Sequence, residues 1–368
     1  MTHVVSFVAQ CDEHRQSHST RPATDRGSEG TETLKIDGGI QDDLVEAAKR
    51  SSILEEAGYD GVFTAELKHD PFFPALVAAQ NTSRVEIGTG IAVAFARNPM
   101  TLANIGYDLH KLSEGRFILG LGSQIKPHIT KRFSMPWSSP AARMREMVQA
   151  IRAIWASWND SAPLEFRGEF YTHVLMTPMF DPGPNPYGDP KIFVAGVGPK
   201  MTEVAGEVGD GFIAHGFTTA EYFRAVSLPA IERGLDAQER RRSDFEISMP
   251  LFLALDDGDD AIGRTQPIRK QLAFYGSTPA YRPVLDHHGW GELQPELNAM
   301  SKQGRWDDMA ELITDDMVDA FAVRASAKNM ATSIAQRYEG VLDRIQFFAP
   351  IDEDPETWRP VLQAIKEI

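Results

Sequence analysis

Between Glu66 and Asp70, in the stretch FTAELKHDPFF, the chain sets two carboxylates, an amine and an imidazole within five residues. An imidazole titrates near neutral pH, so His69 is equipped to carry a proton, with Glu66 as a partner that orients it or touches a cofactor. A second stretch, KIFVAGVGPKMTEVAGEVGDGF, Lys191 to Phe212, reads as a strand, a glycine turn and a helix in succession. Gly196 and Gly198 let a ligand approach the backbone, and Pro199 suits the first helical position, where its missing N–H costs nothing. Free N–H groups around Val197 to Met201 would then face an anion at the positive end of the helix dipole. Met201 stands where a dinucleotide fingerprint has its third glycine, so the turn fits a phosphate better than a dinucleotide. The same glycines would also serve a tight turn with no ligand.

Other polar residues are weaker signals. Asp37, at the end of a β-rich run, either faces a pocket or forms a turn before Gly38 and Gly39. SQIKPHITKRFSMPW supplies Lys126, His128, Lys131 and Arg132, which would attract an anion or simply be solvated. His215 ends the run GFIAHG. His287-His288 and the scattered carboxylates do not fall into a metal-ligand spacing, and there is no G-x-S-x-G elbow, so the expectation is no metal and no covalent nucleophile.

Bulk properties narrow the class. The chain has 368 residues, 42% of them hydrophobic, enough for a large core as two domains or one large barrel. Its formal net charge of −15 repels polyanions, which argues against nucleic acid as a partner. A single cysteine, Cys11, cannot close an internal disulfide, and no apolar run approaches a membrane helix or a secretory signal. The expectation is a cytoplasmic protein without membrane association. Residues 1–33 are polar over most of their length and lack apolar periodicity, so they are expected to be an extension that does not pack, ahead of a single domain over residues 34–368.

The elements that must position these side chains emerge from the apolar pattern. LKIDGGI, YDGVFTAE, VEIGTGIAVAF, FILGLGS, IFVAGVG, GFIAHG, FEISMPLFLAL and RIQFFAP read as strands. Amphipathic stretches separate most of them, as where Leu44, Ala47, Ala48, Ser51, Leu54 and Ala57 share a helical face before Gly58. Alternating strands and helices imply parallel pairing with right-handed crossovers, and eight such units close into an α/β (β/α)8 TIM barrel. The spacing is broken by insertions after strands 4 and 7, about 124–190 and 256–343. The first reads as a helix, AARMREMVQAIRAIWASW, a strand pair in LEFRGEFYTHV and a proline-rich turn; the second reads as largely helical. Both follow strand C-terminal ends, the face where barrel active sites are built.

In family order, EEAGYDGVFTAE, RVEIGTGIAVAFARNPMTLAN, LSEGRFILGLGSQ, ARMREMVQAIRAIW, FRGEFYT and VAGVGPKMTEVAGEVGDGFI make the sequence resemble the bacterial-luciferase-like flavin and deazaflavin oxidoreductases over about residues 35–350. The nearest branch is the actinobacterial one labelled deazaflavin-dependent. The resemblance implies a cofactor, coenzyme F420 or FMN, in the barrel, and a non-prolyl cis peptide, here Gly90–Ile91, behind its ring. It implies that Gly122 and Ser123 line the cofactor and that Gly196, Val197, Gly198 and Pro199 take its phosphate. Relatives often follow the acidic residue of the second loop directly with histidine; here Leu67 and Lys68 intervene and the histidine is displaced to His69. A homodimer acting on a small molecule is the expected assembly.

Four functions follow as alternatives. The first is hydride transfer between coenzyme F420 and a small organic substrate. The second is an FMN-dependent monooxygenase using reduced flavin and oxygen, chemistry that a deazaflavin does not readily support because carbon replaces its N5. The third is a non-catalytic flavin-binding protein, and the fourth a barrel enzyme for a sugar phosphate.

Overall fold

A computed structural model of the chain describes residues 34–40, 43–256, 261–347 and 355–367. The expectation for residues 1–33 lies outside these described residues.

Eight parallel strands close into a barrel, and each arises from one of the eight β-rich runs. In order around the barrel they are Lys35–Gly39, Gly61–Thr64, Glu86–Thr89, Phe117–Gly122, Lys191–Gly196, Gly211–Ala214, Glu246–Leu255 and Arg344–Phe347. The eighth strand pairs with the first, Ile36 opposite Ile345, which completes the ring. Helices cover the outside. The first crossover helix, Leu44–Ala57, starts on an Asp43 carboxylate that accepts from the N–H groups of Val45 and Glu46. It ends at Gly58, whose φ of 99° is the left-handed conformation that favours glycine. Among the described residues, no helix is long and apolar enough to cross a membrane.

The two insertions follow the fourth and seventh strands. The first carries the helix Pro140–Asp160 and the antiparallel pair Phe166–Arg167 and Thr172–His173. Glu146 joins them: its carboxylate accepts from the backbone N–H groups of Glu169, Phe170 and Tyr171. A Cβ at Gly168 would overlap that carboxylate, so this turn requires glycine. The second insertion is mostly helical, as its pattern suggests, but it also contains a strand, Ala322–Ala325, that pairs in parallel with the distal half of the seventh barrel strand. The helix Asp315–Phe321 runs into this strand with no intervening turn residue, and that is why the helical pattern hides it.

Charges fill the floor of the barrel. Lys35, Glu86, Lys191 and Glu246 begin the first, third, fifth and seventh strands, so they form one layer drawn from alternate strands. Arg344 of the eighth strand lies against this layer, with no exposed surface. Its Nε and Nη2 donate to the two carboxylate oxygens of Asp37 at 2.9 and 2.7 Å, and its Nη1 donates to Glu86 and Glu246. A Cβ at Gly61 would overlap this pair, so glycine leaves its room. Burial disfavours the charge on Glu246, but Arg344, Lys191 and Lys35 outweigh it and hold the carboxyl down to about 2.

Removing one partner of a buried ion pair strands the other, at a cost of about 3–5 kcal/mol. Arg344→Met should therefore lower the unfolding free energy by that order in urea denaturation; a loss of only a few tenths would mean the pair does not hold the seam. Because the folded pKa of Glu246 lies below its ordinary value near 4.5, its contribution is complete above that pH and is lost as pH falls through about 2. Wild-type stability should then fall more steeply than that of Glu246→Gln between pH 5 and 2, and parallel curves would contradict the assignment.

Candidate functional site

The third strand is interrupted where the site begins. After Thr89 the Gly90–Ile91 peptide is cis, as the resemblance implied, and the chain resumes as Ala92–Val93, paired with Leu121 and Gly122 of the fourth strand. Thr89 bridges the gap with its side chain: its Oγ1 donates to the Gly120 carbonyl at 2.7 Å and accepts from the Gly120 N–H at 3.0 Å. Two glycines of GLGS permit this arrangement. A Cβ at Gly120 would overlap the Thr89 carbonyl, and one at Gly122 would press on the Ile91 side chain at 2.8 Å. The Ile91 side chain thus lies against Gly122, and the half-buried Ser123 follows it in the chain.

Glu66 holds this stretch in place. Its backbone N–H donates to Ile91 O at 3.1 Å, and its Oε2 accepts from the Val93 N–H at 2.7 Å and from Arg97 Nη1 at 2.6 Å. Arg97 Nη2 donates in turn to Asp70 at 2.7 Å, and the guanidinium lies over the Phe72 ring. Glu66 is only 7% exposed. It therefore anchors the cis segment and does not orient His69, because the guanidinium offers a stronger, charge-assisted bond. His69 is exposed on the same loop and makes no hydrogen bond or ion pair among the described residues. Arg132 of the first insertion closes over this loop, donating to Leu67 O at 2.7 Å.

Asp37 does not open to the top face. It is 1% exposed and both its oxygens are committed to Arg344 in the barrel floor, which accounts for the residue without a ligand.

Across the barrel mouth lies the glycine turn. Gly196 ends the fifth strand and Gly198 precedes the ten-residue helix Pro199–Val208, whose N-terminus has no side-chain cap. A Cβ at Gly196 would crowd Met201 and the Thr202 N–H at 3.1–3.2 Å, whereas one at Gly198 would meet open space. A small cavity beside the turn is lined by Gly196, Val197, His215, Thr218, Tyr222 and Val284. Thr218 is 8% exposed and its Oγ1 has no hydrogen-bond partner among the described residues. A buried hydroxyl and an uncapped helix start beside the same turn are donors of the chemical kind that an oxyanion accepts from. Thr218 was not legible as a site residue, since the threonine pair in GFTTAEY carries no spacing signal.

His215 closes the cavity. Its Nδ1 accepts from the Phe217 N–H at 3.0 Å, and its ring stacks on Tyr281 with centroids 4.5 Å apart. Burial pushes its pKa down to about 4, so the imidazole is neutral at pH 7. The fold also brings Glu221 beside His287 and His288, a proximity that linear spacing did not reveal.

A closed parallel barrel with an interrupted third strand and a glycine turn after the fifth, both at its C-terminal face, defines a (β/α)8 protein. The chain belongs to the luciferase-like monooxygenase family, whose model matches residues 17–344. It is 54% identical over 318 residues to an uncharacterized protein of Mycobacterium tuberculosis, covering 86% of this chain and 93% of that one. It is 24% identical over 309 residues to the 5,10-methylenetetrahydromethanopterin reductase of Archaeoglobus fulgidus, covering 82% and 89%. The coenzyme F420 dependent tetrahydromethanopterin reductase of Methanopyrus kandleri shares the fold, with a TM-score of 0.75 at 18% identity over 90% of this chain and 97% of that chain. Members of this family are oxidoreductases or monooxygenases, and F420 or FMN serves as cofactor among them.

If Arg97 anchors the cis segment through Glu66, Arg97→Ala should cost about 3 kcal/mol or more in urea denaturation, because it leaves a buried carboxylate unpaired. Arg97→Lys should recover part of that loss. Stability within a few tenths of wild type for the alanine variant would remove the anchor from the account.

Proposed function

We propose that the protein transfers a hydride between coenzyme F420 and a small organic substrate. The observation that carries the reading is the donor set at the glycine turn: an uncapped helix that starts after Gly198 and, in the cavity lined by Gly196 and Val197, the Thr218 hydroxyl with no partner among the described residues. The relatives named above, among them a reductase described as F420 dependent, support the choice of cofactor.

In this reading Gly196, Val197, Gly198 and Pro199 hold the cofactor phosphate, joined by Thr218. Ile91, Gly122 and Ser123 line the ring, and Glu66 with Arg97 keeps the cis segment beneath it in position. A deazaflavin held there would supply or accept the hydride. His69, exposed and unpaired, carries the accompanying proton; its imidazole is free to turn toward a substrate above the ring. His69→Ala should therefore slow turnover by roughly 10²–10⁴-fold with cofactor affinity unchanged, and full activity in that variant would leave the proton to another group. The reading also carries a homodimer, for which the exposed Leu175, Met179 and Phe180 of the first insertion offer apolar surface. A monomer mass by light scattering would exclude it.

The second reading, a monooxygenase using reduced FMN and oxygen, is favoured by the family's own description. Fluorescence titrations with F420 and with FMN at matched ionic strength separate the two. Saturable micromolar binding of F420, with FMN weaker, is expected; the reverse order would favour monooxygenation, and binding of neither would remove the cofactor. Gly198→Asp should abolish binding while leaving the barrel folded, since the new side chain enters open space but brings negative charge to the turn. Unchanged affinity in that variant would sink the phosphate assignment.

A further inference from the structure

We propose that Glu221, His287 and His288 form a binding site for a first-row divalent metal of the Zn²⁺ class, which ties the second insertion to the loop after the sixth strand. One ligand atom from each residue lies within 4.8 Å of the others. His288 Nδ1 and Glu221 Oε2 are 3.7 Å apart. Two ligands of a tetrahedral zinc with bonds of about 2.0–2.1 Å lie roughly 3.3–3.5 Å apart, so this pair is already close to ligand spacing. Glu221 and His287 are exposed, and small side-chain rotations can bring their ligand atoms inward.

His288 is held for the purpose. Its Nε2 lies 2.8 Å from Oγ1 of Thr219, a residue 69 positions away and 1% exposed. Its ring stacks on Trp290, with centroids 4.7 Å apart and planes 17° from parallel. An oxygen on the far ring nitrogen is the usual arrangement behind a metal-bound histidine, because it fixes the ring and aims the other lone pair outward. In the tautomer whose Nε2–H donates to Thr219 Oγ1, Nδ1 and the Glu221 carboxylate face each other as two acceptors. A cation between them satisfies both.

Two imidazoles and one carboxylate suit zinc, and copper or nickel by the same donors, better than magnesium or calcium, which prefer all-oxygen sets. The fourth position would go to water. Thr218 and Tyr222 flank the ligand Glu221 and line one wall of the cavity beside the glycine turn, while Val284, on the helix that ends at His287, lines the other. The bound ion would therefore stitch the two walls together. The site does not depend on which cofactor the barrel takes.

The test is isothermal titration of the full, metal-free and tag-free chain with ZnCl₂, with a visible spectrum of the Co²⁺ form. Binding of one equivalent at micromolar affinity or tighter, a tetrahedral cobalt spectrum and a raised melting temperature are expected. Glu221→Gln and His287→Gln alter exposed groups, the second also losing ring-edge contacts with Tyr222 and His288, and each should weaken zinc at least tenfold; His288→Ala should abolish the site. No zinc binding by the wild-type chain, or unchanged affinity in either glutamine variant, would overturn the proposal.

Discussion

The seam of the barrel depends on one buried guanidinium. Arg344, near the end of the chain, reaches Asp37, near the start of the described fold, through two parallel bonds. Taking both charges out of water is costly, and the arrangement holds because every acceptor around Arg344 is a carboxylate and because Lys35 and Lys191 balance Glu86 and Glu246. An apolar floor of similar volume could be as stable. What the charges add is a preference for one register, since a slip of the eighth strand would strand several of them at once.

Above that floor, the site is built by pairs of motifs that make sense only together. TGIAV and GLGS meet because the Thr89 hydroxyl takes both ladder groups of Gly120 while Gly122 yields to Ile91. ARMREM and FRGEFYT meet because Glu146 fills the turn that Gly168 leaves open, and Arg143 donates to the Tyr171 hydroxyl at 2.8 Å. Each glycine here is explained by a particular atom that occupies the place of its Cβ.

The architecture was largely legible in the sequence, because local pattern fixes it: eight β-rich runs became eight barrel strands, and the glycine turn fell between strand and helix. Side-chain roles were less legible. Asp37 reads from sequence as facing a pocket or forming a turn, and Glu66 as orienting His69 or touching a cofactor, since a carboxylate at a strand end is ambiguous on its own. Their partners, Arg344 and Arg97, lie 307 and 31 residues away, and only the folded chain shows that they claim those oxygens. Thr218 and the grouping of Glu221 with His287 and His288 were hidden for the same reason. The strand Ala322–Ala325 was hidden by a helix that abuts it.

That strand changes the mechanics of the mouth. The seventh barrel strand pairs with its neighbours through Leu251 and then continues, from Phe252 to Leu255, alongside Ala322–Ala325. The second insertion is thus grafted onto a cantilever of the barrel wall. A swing of that insertion away from the opening must either bend the cantilever or unzip its ladder, so it behaves as a stiff parapet. The loops after the second and fourth strands have no such ladder between them among the described residues; the exposed bond from Arg132 to the Leu67 carbonyl is a latch that one side-chain rotation opens.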